Sequence, residues 1–150
     1  FRAIPTVDPH PPAVAGMHFF GIVQYVGPDR TADWTEFYSQ LMGFTPLPRQ
    51  VRFGIMPSGL LLESPCRTFF LQLIEPDESA RFAAMDEHLQ RVGLGTPDVT
   101  AAVASLEKRG VEFLATDRVH SSERGALTKP LLGGMMFELV KSTPPGGGER

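Results

Sequence analysis

Between a proline-rich start and a glycine-rich end, the chain states one plan twice. "GIVQYVGPDRTADWTEFYSQLMGF" and "QRVGLGTPDVTAAVASLEKRGVEF" match at a constant offset: Pro28-Asp29 with Pro97-Asp98, Thr31-Ala32 with Thr100-Ala101, Phe44 with Phe113. Each copy reads as a strand, a Pro-Asp turn, an amphipathic helix and further strands. Similarity at a fixed offset marks duplicated units, and two copies are too few for a solenoid. A closed pseudo-twofold pair is therefore expected. The 150 residues are enough for one domain with a real core.

In the first helix Trp34, Phe37, Tyr38 and Leu41 fall at i, i+3, i+4 and i+7, one apolar face that predicts core packing. Thr31 is the expected N-cap and Asp33 suits the first turn. In the second helix Val99, Val103 and Leu106 make the face, and Gly110 stands where a C-cap belongs. "RQVRFGIM", "LLLES" and "CRTFFLQLIEP" read as strands after the first helix; "EFLATDRV", "GALTK" and "MMFELVKS" do so after the second. "PSG" and "LGG" are turn signals, and "DESARFAAMDEHL" joins the halves with a short helix. The expected modules span Gly21 to Ile74 and Gln90 to Val140.

The flanks read differently. Residues 1–16 form a proline-rich arm or interdomain linker, 17–142 the domain, and 143–150 a flexible tail. The arm through Ala15 is expected to lack regular secondary structure, because Pro5, Pro9, Pro11 and Pro12 remove backbone donors. A start at Phe1 with linker composition suggests a piece of a longer protein, or a trimmed N-terminus. The formal charge of −3, with no basic patch, gives no reason to expect nucleic acid or an anionic membrane as partner. No apolar run approaches the roughly 20 residues needed to span a bilayer. Cys66 is the sole cysteine, which excludes a disulfide framework and a cysteine-rich zinc site. A cytoplasmic setting is the default expectation.

The strand–helix–three-strand order, given twice, resembles the vicinal oxygen chelate superfamily, which includes glyoxalase I, the extradiol dioxygenases and 4-hydroxyphenylpyruvate dioxygenase. Locally the chain is most similar to the catalytic, C-terminal half of the last of these. "LQRVGLGTPDVTAAVASLEKRGVEFL" resembles that family's Gln-His strand and the helix after it, "DWTEFYSQLMGF" its first helix, and "GGMMFELV" its last strand. The resemblance implies an α+β fold of two tandem βαβββ modules whose curved sheet encloses a cup. It also implies Fe(II) or another divalent metal inside, held by two His and one Glu so that positions stay open for a 2-oxo acid and dioxygen.

Carried over residue by residue, the last ligand matches Glu138 and the middle one falls at Arg91, where the His is gone. The first falls at Gly21 if the family's spacing holds, or at His18 if the strand-to-helix connection is three residues longer. The superfamily's other ligand position, on the fourth strand, falls at Gln72. His88, three residues before Arg91, would need a bulge to reach the same face. His10 and His120 read as solvated residues of the arm and of a loop. Arg91 either faces solvent on a shifted strand, or points into the cup and neutralises Glu138 through a charge-assisted pair.

Three readings of function follow. The first is a dioxygenase-type oxidoreductase homologue acting on a small aromatic or 2-oxo acid, its metal held by Glu138 with His18 and Gln72. The family's long insertion before the Glu strand, which helps close the site, is missing here. The second is a metal-free module that binds a small aromatic or carboxylate ligand through Arg91, Gln72, Gln24 and the many Phe. The third is a structural domain of a longer chain. Pairing into a homodimer, or with a neighbouring domain, is implied by the resemblance.

Overall fold

A computed structural model describes residues 14–51, 59–76, 87–115, 124–131 and 134–143. In chain order the elements are β1 (His18–Tyr25), α1 (Thr31–Met42), β2 (Thr45–Pro46), β3 (Leu60–Glu63), β4 (Phe70–Ile74), β5 (His88–Thr96), α2 (Val99–Glu107), β6 (Gly125–Leu127) and β7 (Met136–Lys141). The strands form one seven-stranded sheet in the order β2-β3-β4-β1-β5-β7-β6.

The duplication shows in the pairing. β1 runs parallel to β4, and β5 runs parallel to β7, each pair joined through a helix. β3 and β6 then add antiparallel, as hairpins would. β1 and β5 meet antiparallel at the centre, with Gly21 opposite Gly93 and Val23 opposite Arg91. The two modules thus join edge to edge about a pseudo-twofold axis, and the α+β expectation holds. The copies differ at the outer edge. β2 pairs with β3, whereas its counterpart among the described residues is the single bridge Phe113–Thr128.

Each helix covers one end of the sheet and closes its own core. Under α1 lie Val26, Leu62, Leu71 and Leu73, with Trp34, Tyr38 and Phe44 packed on them. Under α2 lie Val99, Ala102 and Leu139, with Leu94, Val103, Leu106 and Phe113. Strand alternation therefore leaves the other sheet face, which carries Val23, Gln72, Arg91 and Glu138, to the cup.

Several local expectations are corrected. Phe37 is partly exposed and Leu41 is 73 % exposed, so only half of the predicted α1 stripe reaches the core. Arg30, not Thr31, occupies the α1 N-cap and makes no side-chain capping bond. The orphan amides are satisfied across the chain instead: Glu75, at the end of β4, accepts from the backbone N–H of Asp29 and Thr31 and from the Thr31 hydroxyl. α2 is capped conventionally, Asp98 accepting from Ala101 N–H at 2.9 Å. The C-cap of α2 is Lys108 and not Gly110, which follows in the turn at φ +90° with its N–H bonded to the Glu107 carbonyl.

The first predicted strand after α1 opens with a turn at Arg49–Gln50 and its residues 52–56 lie outside the described residues; pairing falls earlier, at Thr45–Pro46. β5 begins at His88, inside the segment expected to be helical; residues 77–86 of that segment lie outside the described residues. Most of the arm, residues 1–13, also lies outside them. Val14–Gly16 form one 3-10 turn, with Ala15 at φ +51°, whose carbonyl accepts from buried Thr96. Ala15 and Met17 pack against the α2 cluster, which explains why the chain is ordered before the domain start expected at 17.

Candidate functional site

The cup centres on β5, and a bulge decides what it presents. β1 and β5 pair Val23 with Arg91 and then Gln24 with Leu89, so Gln90 is skipped. The extra residue breaks the strand's alternation. His88 therefore comes opposite Tyr25, their rings 5.7 Å apart, and the Tyr25 hydroxyl in turn lies 3.3 Å from Arg91 Nη2. The bulge that His88 needed is present, and it brings His88 to Tyr25.

Arg91 points inward. It is 3 % exposed, and so is Glu138. Arg91 Nη1 donates to Glu138 Oε2 at 3.4 Å, Nη2 to the Tyr25 hydroxyl, and Nε to Gln90 Oε1. Gln90 is fixed from its other end by Met136, with Nε2 3.2 Å from the sulfur. Because β5 and β7 run parallel with Gly93 beside Glu138, the guanidinium crosses from its own strand to reach the carboxylate. Burying either charge alone would cost several kcal/mol, roughly 3–5 for a pair broken on one side.

The remaining predicted residues divide. Gln72 stands on β4 opposite Val23 and lines the same cavity as Glu138. Gln24 does not. It is buried on the helix face, where the Tyr38 hydroxyl donates to its Oε1 at 2.7 Å, so it belongs to the α1 core and not to a binding set in the cup. Burial also pushes the Tyr38 phenol above its usual pKa. His18 lies at the start of β1, its ring over Gly95, where a Cβ would come within 2.4 Å of Nε2. That nitrogen sits 3.3 Å from the Ser142 hydroxyl. His18 pairs with Gly95, and Glu138 with Gly93, two residues earlier on β5. His10 and His120 lie outside the described residues. Tyr25, which holds Arg91, had no sequence signal; Gln90 stands at the Gln of the Gln-His strand start, but the bulge that sets it beside Arg91 leaves no mark in the sequence.

The cavity has Phe20, Phe70, Val23 and Leu61 as apolar walls and Gln72 and Glu138 as polar ones. The Phe20 and Phe70 rings lie 5.3 Å apart, tilted by 41°. The enclosed space is about 20 Å³, room for roughly one water molecule, and it opens towards solvent.

A divalent metal does not fit this set. Its second ligand position holds a guanidinium, which repels a dication and already engages the carboxylate. Of the two alternatives for its first, Gly21 has no room for any side chain, a Cβ there falling 2.2 Å from the Phe70 carbonyl oxygen, and His18 has its ring over Gly95 with Nε2 3.3 Å from the Ser142 hydroxyl. Among the described residues no group of three His, Cys, Asp or Glu comes together as a metal site. Nor is any helix among them long and apolar enough to cross a membrane.

The same architecture occurs in solved structures. Methylmalonyl-CoA epimerase from Mycobacterium tuberculosis matches with a TM-score of 0.69 at 24 % identity, over 90 % of this chain and 95 % of that one. Methylmalonyl-CoA epimerase from Streptomyces coelicolor, in complex with 2-nitronate-propionyl-CoA, matches at 0.58 and 23 %, over 83 % and 96 %. A variant of 4-hydroxymandelate synthase from Streptomyces coelicolor matches at 0.62 and 17 %, over 88 % of this chain and 50 % of that one. At these identities the likeness is one of fold. Residues 16–138 also match the family model of the Glyoxalase/Bleomycin resistance protein/Dioxygenase superfamily, a span that takes in both modules, the Arg91–Glu138 pair and the cup between them, and to that superfamily the chain belongs.

Proposed function

We propose that this domain binds a small aromatic molecule in its cup without a metal ion. Members of the superfamily commonly bind divalent metals. The observation that carries the metal-free reading is Arg91, buried at a ligand position and bonded to the one conventional ligand the chain retains. A fixed cation there balances the carboxylate, so the centre of the cup is electrically neutral without a cofactor. The walls suit an aromatic guest, with two phenylalanine rings and aliphatic side chains around a few polar groups.

A dioxygenase of the two-His, one-carboxylate type needs two imidazoles that Gly21 and Arg91 do not supply. The purified protein should bind members of a panel of small phenols, aromatic acids and aromatic 2-oxo acids with affinities unchanged by EDTA. Titration with Fe(II) or Mn(II) should give no heat attributable to Glu138. Binding that is lost in EDTA and restored by Fe(II) would return the dioxygenase reading to first place, and a panel with no binder would end the ligand-binding reading.

A further inference from the structure

We infer that Met136 is a redox-sensitive point in the fold, where a peroxide-class oxidant displaces Gln90 and, through it, loosens the hold on Arg91. This device lies in the brace around the charge pair and is independent of whether the cup takes a guest. β5 and β7 run parallel with Arg91 beside Met136. Gln90 is the side chain that links the two. Its Nε2 donates to the Met136 sulfur at 3.2 Å, and its Oε1 accepts from Arg91 Nε. One amide thus spans from a thioether to a buried guanidinium. Gln90 and Met136 are both partly exposed, whereas Arg91 and Glu138 are buried. The outer end of this chain of contacts therefore meets solvent without passing through the cup.

A thioether sulfur is a weak acceptor, and the lone pairs it offers the amide are also what attacks a peroxide. In that step a sulfur lone pair forms the S–O bond and the O–O bond of hydrogen peroxide breaks. The sulfur is oxidised to the sulfoxide by two electrons, and the second peroxide oxygen leaves with both protons as water. The sulfur is then electron-poor, and the acceptor has moved to the new oxygen, one S–O bond length away. The Gln90 amide must follow that oxygen or lose its partner. Its other end is tied to Arg91, so either course changes the Gln90–Arg91 bond. Arg91 keeps its bonds to Glu138 and Tyr25, so the fold is loosened and not broken.

Dilute hydrogen peroxide is the probe. Peptide mapping by mass spectrometry counts the oxygen added at each methionine, and proton–nitrogen NMR follows the Arg91 Nε–H signal. Met42, 51 % exposed at the end of α1, reports that the reagent has acted. By the time Met42 is fully oxidised, Met136 should carry one added oxygen, the Arg91 signal should have shifted, and the urea midpoint should have fallen. Met136→Leu, a change that conserves volume, should hold its own Arg91 signal in place through the same treatment. Should that variant not fold, Gln90→Leu gives a second measure: Met136 should still be oxidised, and the Arg91 signal should stay where it was. A Met136 that is unoxidised when Met42 is complete overturns the inference. So does an Arg91 signal that ignores oxidation of Met136, or one that moves as far in Met136→Leu. None of these results bears on metal or ligand binding, which the panel in EDTA decides separately.

Discussion

The two modules set different chemistry at the same depth of the cup. In the first, the parallel pair β1–β4 presents Gly21 and Gln72, neutral residues. In the second, β5–β7 presents Arg91 and Glu138, a charged and buried pair. The two parallel pairs run alike, and the difference in charge lies in the side chains they carry and in the β5 bulge that aims Arg91's neighbours. A metal site in this fold draws on both modules. Here all the charge has gathered in one module, and the other has become a wall.

That asymmetry predicts unequal costs. Arg91→Ala and Glu138→Ala should each destabilise the fold by about 3–5 kcal/mol, because each strands the other charge in the interior. Gln72→Ala, at the corresponding depth of the first module, should cost less than about 1 kcal/mol. The double variant Arg91→Met/Glu138→Leu should recover most of the loss, since apolar residues of similar volume commonly replace buried pairs without penalty. Urea denaturation of the five proteins checks this. Single charge deletions as mild as Gln72→Ala would show that the pair is solvated and the contrast between modules superficial.

The next contrast is in the floor. Gly21 and Gly93 face each other across β1 and β5. A Cβ at 21 meets the Phe70 carbonyl oxygen at 2.2 Å, which is backbone and cannot swing away; at 93 the nearest atom is 3.4 Å off. Gly21→Ala should therefore cost about 1–3 kcal/mol by overpacking. Gly93→Ala should stay within about 1 kcal/mol of the parent in either direction, the cavity permitting. The same clash means that Arg91→His alone rebuilds only one ligand. Equal thermal shifts for the two alanine variants would remove Gly21 as the barrier.

The helices give a smaller contrast. α1 is capped from a distance by Glu75, and Glu87 binds the Gly27 N–H and Arg30 just before it; α2 is capped by its own Asp98. Glu75→Ala and Asp98→Ala should each cost about 1 kcal/mol. Only the first should also loosen the junction between α1 and β4. The hydroxyl of Thr31 and neighbouring amides lower the Glu75 pKa, and Arg30, with Gly27 N–H, lowers that of Glu87 to about 2. A folded value below the unfolded one gives stability that is present above the unfolded pKa and lost as pH falls through the folded one. For Glu87 this window runs from 4.5 down to about 2. Glu87→Gln should flatten the acid limb of stability there, and an unchanged acid limb would discount the Arg30 contact.

How much of this was legible in sequence depended on whether the cause was local. The repeat, both helices and the final strand with Glu138 follow from periodicity and turn chemistry, which act within a few residues. For Arg91 the sequence leaves both faces open; the apolar Val92 and Leu94 only favour the inward one, and the burial of Arg91 decides it. The misses were all set by distant partners. Gln24 was drawn to Tyr38 fourteen residues away in α1. The α1 cap came from Glu75, which no spacing rule connects to Thr31. Phe37 and Leu41 have the right period, but only Trp34 and Tyr38 of that stripe pack on the buried cluster of β3 and β4. The β5 bulge, which brings Tyr25 and His88 to the site, arises from pairing with β1 and is invisible in β5 itself.

The smallest expected effect separates the two hairpins that follow the helices. The β3–β4 connection carries Cys66, exposed, while the β6–β7 connection has no thiol. Arg67 takes φ +56° in this turn, which folds the chain so that three side chains meet. Cys66 Sγ lies 3.4 Å from the Ser64 hydroxyl and 3.0 Å from that of Thr68. These bonds, that of Ser64 first, bring the thiol down to about 7. The thiolate is the reactive form, so reactivity should rise with pH through that value. Alkylation by iodoacetamide should reach half its limiting rate near pH 7, against roughly 8.5 for an unperturbed cysteine. Thr68→Val is the cleaner variant, because Ser64 Oγ also accepts from the Thr68 and Phe69 amides and its loss would disturb the turn. Thr68→Val should move the midpoint upward and leave the melting temperature within a degree or so, as surface changes of a few tenths of a kcal/mol do. A midpoint near 8.5 in the parent protein would mean that the hydroxyls do not hold the sulfur, and the two hairpins would then differ only in sequence.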